Sequence, residues 1–256
     1  MHEAIHRLIR ISESGPPNFP ATLIYNEGWM LRLILDWFSQ AASHDHRLAF
    51  QPGARWFSEA LLPTPFRARR RGDNRAEART HADGLVGHFA LASGAKADAR
   101  LLPSATQLFV VEAKMFSPLS GGTRNAPSFN QAARSVACMA EMLRRAGRSP
   151  DAVTSLGFFL VAPAASVSAR MFEAALDKEA IQLAVAQRAD AFRAELPSWL
   201  EDWFRPALDQ MRIEALTWED VIAQIGSIDP ASAAEFESFY ALCLRHAEPG
   251  SVSLHA

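Results

Sequence analysis

Three side chains that could take part in acid, base or metal chemistry lie in two short apolar runs of the sequence. Asp83 lies in HADGLVGHFAL, residues 81–91, while Glu112 and Lys114 lie near the end of QLFVVEAKMF, residues 107–116. Carboxylate oxygens are the ligands that Mg²⁺ and similar cations prefer, and an ammonium group can balance charge or contact an anionic substrate. The three residues together therefore predict metal-assisted chemistry on an anion.

Both runs have the pattern of β-strands, in which alternate residues share a face. One face of the second run carries Leu108, Val110, Glu112 and Lys114. The face of the first run that carries Asp83 also carries Leu85, Phe89 and Leu91. Each acid is thus predicted to share an apolar face that points toward a core.

A helix predicted from about residue 23 to residue 40 adds a third carboxylate. At about 100° per residue, Glu27 falls near the middle of the apolar arc of this helix. An unpaired buried charge is costly, so several inward charges are most simply explained by a divalent cation that neutralises them. The alternative is an ion pair of Lys114 with Glu112 or Asp83 at a strand end near solvent.

The rest of the chain predicts an α/β protein in one domain, residues 1–256, with no linker that forces a division. A helix is expected at about 128–145 and a third strand at 155–162. After residue 163 the pattern predicts helices only, at about 167–194, at about 197–213, in TWEDVIAQI, and after Asp229 and Pro230.

The order of these residues resembles the PD-(D/E)XK nuclease superfamily, which has the restriction-endonuclease-like fold. Asp83 followed by Glu112-Ala113-Lys114 is similar to its acid and (D/E)xK signature, although Ala82 stands where the signature has proline. The resemblance implies a mixed central β-sheet flanked by helices, with a nuclease-like core at 23–162 and a helical C-terminal extension at 163–256. It also implies a glutamate on the helix before the core strands, where Glu27 fits.

The function that this resemblance implies is Mg²⁺-dependent hydrolysis of phosphodiester bonds in nucleic acid, with DNA favoured and with Mn²⁺ able to substitute. Asp83 and Glu112 would hold one or two ions, helped by the Ala113 carbonyl and, directly or through water, by Glu27. A metal-activated water would attack the phosphate, and Lys114 would orient it or stabilise the developing charge. The alternative is a nuclease-like module that binds nucleic acid or a protein partner without cutting it.

A glutamine on the helix after the xK strand is also implied, and Gln131 of NQAARS fits this position. Ser128 and Gln131 can equally form a capping box, in which each side chain covers a backbone donor at the helix start. Substrate contact and capping are both open for Gln131.

Residues 67–79, RARRRGDNRAEAR, form a locally basic segment in a chain whose net charge is −2. Its two acids are outnumbered by six arginines: Arg67, Arg69, Arg70, Arg71, Arg75 and Arg79. Guanidinium groups suit phosphate, so this segment is predicted to contact the nucleic-acid backbone. The alternative is a solvated loop. Two kinds of protein partner are left open: a second copy of the chain, which would form a homodimer, or a separate targeting subunit.

Composition excludes several other classes. Hydrophobic residues make up 49% and charged residues 21%, as in ordinary globular proteins. No run approaches the ~20 apolar residues of a membrane span, and the N-terminal residues lack a secretory signal pattern, so a cytoplasmic protein is expected. Cys138 and Cys243 are expected as buried free thiols. No GxSxG, Walker, GxGxxG or HExxH motif occurs, and His44-Asp45-His46 and His81 are weaker candidates than the acids.

Overall fold

The computed structural model describes residues 20–41, 45–73, 76–77, 80–92, 98–122 and 126–247. In this part of the chain a five-stranded mixed sheet in the order β1-β2-β5-β6-β7 is covered by helices on both faces, which confirms the predicted α/β class. The strands are β1 (Arg55–Leu62), β2 (Thr80–Gly87), β3 (Phe89–Leu91), β4 (Ala99–Leu101), β5 (Gln107–Ala113), β6 (Ser155–Ala162) and β7 (Arg212–Thr217). Strands β3 and β4 form a separate two-stranded sheet.

The helices follow the strands on either side of the sheet. They are α1 (Glu27–Gln40), α2 (Gln131–Ala146), α3 (Ala164–Ser168), α4 (Glu173–Leu176), α5 (Lys178–Asp190), α6 (Arg205–Gln210), α7 (Trp218–Gly226) and α8 (Pro230–Ala247). None of the described helices has both the length and the apolar character needed to cross a bilayer.

The centre of the sheet is the parallel pair β5 and β6, whose sequences are almost continuously apolar because both faces are covered. Strand β2 pairs antiparallel with β5, from Gly84 opposite Val111 to Gly87 opposite Leu108. Strand β7 pairs parallel with β6 at one edge, and β1 pairs antiparallel with β2 at the other. Because β1 and β5 both run antiparallel to β2, their C-terminal ends lie at the same end of the sheet, where β2 begins.

Two apolar cores separate according to the predicted alternation of the strands. Leu108 and Val110 pack with Leu85 in the core beneath α2, α5 and α6. Phe109 and Val111 pack in the opposite core beneath α1, α7 and α8. The two faces of β5 are therefore as predicted, and Glu112 belongs to the α2 side.

The prediction that only helices follow residue 163 is wrong for residues 212–217, which form β7. Its six residues alternate only weakly between apolar and polar and follow a helical run, so the local sequence does not indicate a strand. The strand forms because these residues pair with β6. The helix expected at about 167–194 is divided into α3, α4 and α5. Strands β1 and β4 were not predicted either.

Other expectations about local structure are confirmed. Asp229 caps α8, accepting a hydrogen bond from the Ser232 backbone N–H at 3.1 Å, with Pro230 as the first helical residue. Both cysteines, Cys138 and Cys243, are buried and free.

Candidate active site

The carboxylate of Asp83 lies where the pairing of β2 and β5 stops. The backbone register ends at Gly84 opposite Val111. One residue further, Asp83 Oδ2 accepts a hydrogen bond from the Ala113 N–H at 2.9 Å, so the side chain replaces a strand carbonyl as acceptor. On the other neighbouring strand, Glu59 lies opposite Asp83 with a φ of 59°, a strained conformation for a residue with a side chain. The backbone pairing of β2 with β5 stops here, and the Asp83 carboxylate takes the place of a backbone acceptor for Ala113.

Gly84 explains how helix α1 approaches this point so closely. A β-carbon at Gly84 would lie 2.8 Å from Leu35 Cδ1 and 3.1 Å from Leu31 Cδ2. A residue with a side chain at this position would therefore require Leu31 and Leu35 of α1 to shift away from β2 next to Asp83.

Glu112 is the most buried charged residue of the site, with no exposed surface. Its Oε1 accepts hydrogen bonds from Lys114 Nζ, at 2.7 Å, and from Gln131 Nε2. Its Oε2 has no hydrogen-bond partner in the described part of the chain. A fully buried carboxylate thus keeps one oxygen without a donor, which costs free energy unless another group fills the position.

Burial, followed by the negative charge of Asp83, raises the pKa of Glu112 from 4.5 to about 8, although Lys114 acts in the opposite direction. Near neutral pH Glu112 therefore retains its proton, because the Lys114 ammonium group does not offset the loss of solvation and the charge of Asp83. A second cation at this position would allow Glu112 to ionise.

Gln131 links Glu112 to the loop that follows β5. Besides donating to Glu112, it accepts hydrogen bonds at its Oε1 from the Ser120 backbone N–H, at 3.1 Å, and from the Ser120 hydroxyl, at 3.2 Å. Arg134, one turn further along α2, donates to the same hydroxyl at 2.8 Å. Gln131 thereby fixes the Glu112 carboxylate relative to the loop.

The capping box, one of the two roles left open for Gln131, does not form among the described residues. Helix α2 begins at Gln131, and its cap is Asn130, whose side chain accepts from the Ala133 N–H at 2.9 Å. Ser128 instead donates to Gln187 Oε1 at 3.1 Å. Because Asn130 already covers the helix start, the Gln131 side chain is released to reach Glu112.

The backbone of Lys114 is held on both sides. Its N–H donates to the Val161 carbonyl at 2.9 Å, and its carbonyl accepts from Trp218 Nε1 at 3.0 Å. Sequence reasoning found neither Ser120 nor Trp218 as site residues. The Thr217-Trp218 pair signals the start of a helix, but no local pattern indicates that this helix contacts a strand about one hundred positions earlier.

Glu27 is not grouped with the other acids. It is half-buried at the start of α1, on the side of the sheet opposite to α2. Burial raises the pKa of the Cys243 thiol to about 12, and the nearby charge of Glu27 adds to this shift. Among the described residues no three His, Cys, Asp or Glu side chains form a ready metal-binding group. A ligand role for Glu27 stays a prediction.

The predicted basic segment is only partly described. Arg67, Arg69, Arg70 and Arg71 are exposed, and Arg75 and Arg79 lie outside the described residues. Arg69 is already engaged: it pairs with Asp73 at 2.8 Å, donates to the Ala191 carbonyl at 2.7 Å and lies over the Phe192 ring. It therefore fastens the segment to the protein and is the least available of the four for a phosphate.

The weaker histidine candidates have structural contacts. The ring of His46 stacks on Phe38 at 4.9 Å, and its Nδ1 accepts from the Leu48 N–H. His81 Nδ1 lies 3.3 Å from the Glu59 carbonyl. His44 lies outside the described residues.

An ion pair that the sequence did not reveal joins the basic segment to α5. Arg188 lies 3.0 Å from Glu77, and both side chains are almost fully buried. The guanidinium lies over three aromatic rings, those of Phe66, Phe129 and Phe192, at 5.8 to 5.9 Å. This arrangement fixes the segment just before β2, and therefore the start of the strand that carries Asp83.

No protein-family model, curated protein or solved structure matches the chain.

Proposed function

We propose that this protein is a divalent-metal-dependent nuclease of the PD-(D/E)XK type. The observation that carries the proposal is the fully buried Glu112 carboxylate, which keeps Oε2 unpaired beside a second acid, Asp83. An ion pair with Lys114 alone does not balance two carboxylates, and the proton that Glu112 keeps through burial and hydrogen bonding to Asp83 is the charge that a bound cation would replace. Lys114 and Gln131 complete the set that the family signature leads one to expect.

The donor set fits a magnesium-like cation. Asp83 and Glu112 supply carboxylate oxygens, and Mg²⁺ binds to one or two carboxylates while it keeps several waters. The unpaired Oε2 and the raised pKa of Glu112 both indicate that Lys114 alone does not supply enough positive charge at this position. A cation bound here would supply an acidified water and would neutralise charge on a phosphate.

The protein's own residues would then divide the remaining work. Lys114, whose side chain is 12% exposed, would donate to a phosphate oxygen or orient the attacking water. Gln131 would hold Oε1 of Glu112 so that Oε2 keeps its direction. Trp218 and Val161 would fix the Lys114 backbone so that its side chain starts from a constant position.

Nucleic acid is the substrate class that fits the surroundings. Exposed arginines of the segment that leads into β2 provide groups for backbone phosphates without reading base sequence. DNA is the first substrate to test.

The test is cleavage of labelled single- and double-stranded DNA and RNA with Mg²⁺, Mn²⁺ or EDTA. Wild type is compared with Asp83→Asn and Lys114→Met, each of which is expected to lower the rate by about 10²- to 10³-fold or more. Arg193→Met, at an exposed ion pair outside the site, is the matched control and is expected to cleave normally.

Activity without added metal, or activity that survives in both site variants, would exclude this site as the catalytic centre. Binding of nucleic acid without cleavage under every metal condition would instead support the nuclease-like binding module.

A further inference from the structure

Three arginines from separate parts of the chain line a small concavity at the end of β1. Arg67 follows β1, Arg100 lies in β4 and Arg145 lies near the end of α2. The space measures about 210 Å³. This is several times the ~30 Å³ share of one water molecule, so a phosphate group fits with some of its waters.

The charge around this arginine pocket is not balanced. Arg67 and Arg100 are exposed, and neither forms an ion pair within the described residues. Of the described residues that line the space, Asp98 alone is acidic. Two guanidinium groups are thus available for an anion.

Arg145 differs from the other two arginines because contacts within the protein already fix the direction of its side chain. Its Nε lies 2.7 Å from Glu141 Oε1, and its NH2 group points toward the Thr64 carbonyl at 3.4 Å. Glu141 also pairs with Arg144 at 2.8 Å, so one carboxylate serves two arginines. The wall formed by α2 therefore remains positive.

The pocket and the two acids lie at the same end of the sheet, where β2 begins. Leu62, at the end of β1 and in the pocket wall, pairs with Thr80 of β2. Asp83 is three residues further along β2, or roughly 10 Å at about 3.3 Å per residue. At this spacing one nucleic-acid strand can contact both places.

We infer that the arginine pocket binds a backbone phosphate of the nucleic-acid strand, close to the bond that is cleaved. The nature of the ligand rests on the proposed function, whereas the anion site rests on the three arginines themselves. Arg67 and Arg100 supply the contacts, and Arg145 supplies a fixed positive wall. Their role is to position the strand and carries no base specificity.

The experiment compares Arg67→Gln/Arg100→Gln with the matched control Arg193→Gln/Arg205→Gln, which removes two exposed arginine charges elsewhere. Binding of a fluorescein-labelled oligonucleotide is measured by anisotropy in EDTA, at salt concentrations from about 50 to 200 mM. Because one phosphate contact is lost, the slope of log K against log salt should become shallower by about 0.7 for a single strand or about 0.9 for a duplex. The control should keep the wild-type slope.

Equal slopes for the pocket variant and the control would overturn the inference. So would a loss of inorganic phosphate binding with oligonucleotide binding unchanged, since that result indicates a site for the free anion. Because the assay needs no cleavage, the two proposals fail separately. A shallower slope without any nuclease activity would keep the pocket and reject the enzyme, whereas normal cleavage with an unchanged slope would do the reverse.

Discussion

Two glutamates whose side chains are almost fully buried, Glu77 and Glu112, have contrasting surroundings. Glu77 faces Arg188 at 3.0 Å, with side chains 8% and 4% exposed, so one acid meets one base. Arg188 Nε has no hydrogen-bond acceptor among the described residues, but the guanidinium lies over aromatic faces that attract a cation. Glu112 shares one base, Lys114, with a second acid, and keeps one oxygen unpaired.

This difference separates a structural charge from a candidate catalytic one. Burial alone does not make the distinction, because both glutamate side chains are almost fully buried. The balance of charge does: Glu77 and Arg188 form a complete pair within the protein, whereas one ammonium group, that of Lys114, faces the two carboxylates of Glu112 and Asp83 and the pKa of Glu112 is raised.

The largest effect is expected where the balanced pair is broken. Arg188→Met keeps the length of the side chain but leaves Glu77 buried without a partner, which should lower the free energy of unfolding by about 3 to 5 kcal/mol. Urea denaturation measures this. Arg193→Met, at an exposed pair, should change stability by less than about 0.5 kcal/mol. A loss below 1 kcal/mol for Arg188→Met would mean that the balanced pair contributes little.

Isosteric neutralisation should have opposite signs at the two glutamates. Glu77→Gln removes half of a balanced pair and should destabilise the protein. Glu112→Gln removes a carboxylate whose pKa is raised to about 8, so at pH 8 in EDTA it should stabilise the protein by about 1 to 3 kcal/mol. Thermal unfolding of both variants with wild type gives the comparison, and destabilisation by both would remove the distinction between the sites.

The same raised pKa gives wild type a defined pH dependence. Between about pH 4.5 and 8 the folded protein holds a proton on Glu112 that the unfolded chain has released, so its stability should fall as the pH rises. The slope from this group is at most about 1.4 kcal/mol per pH unit, and Glu112→Gln should lack it. Urea denaturation in EDTA at four pH values measures the slope. A wild-type slope equal to that of Glu112→Gln would show that Glu112 ionises normally.

A smaller effect is expected at the residue that holds Glu112 in place. Gln131→Ala removes a donor from Oε1 and should weaken Mn²⁺ binding by about 10- to 100-fold, or about 1.4 to 2.8 kcal/mol. Calorimetric titration measures the affinity. Gln187→Ala, which loses only a contact with Ser128, is the control. Unchanged affinity in Gln131→Ala would mean that Lys114 alone orients the carboxylate.

Sequence alone could predict the parts of this site that follow from local periodicity. The alternation along β5 correctly gave the face of Glu112, because a strand with two covered faces leaves no other arrangement. Edge strand β7 and the contact of Trp218 with Lys114 depend on residues far apart in the chain, and no local pattern encodes them. The balance of charge around Glu77 and Arg188 is likewise a property of packing, since 111 positions separate the two residues.

The cap of helix α2 bears on the comparison of the two sites because the first turn of this helix carries Gln131, which contacts Glu112. Asn130→Ala should cost about 1 kcal/mol of stability because it removes the cap. It should also weaken Mn²⁺ binding, because it loosens the first turn of α2, which carries Gln131. The Glu77–Arg188 ion pair, whose arginine lies on α5, should be unaffected. Ser128→Ala, which would be equally damaging if the capping box existed, should cost less than about 0.5 kcal/mol. Urea denaturation and Mn²⁺ titration of the two variants measure both effects.

Equal losses of stability would restore Ser128 as the cap. A loss of stability in Asn130→Ala with unchanged Mn²⁺ affinity would show that Glu112 keeps its orientation without a fixed helix start.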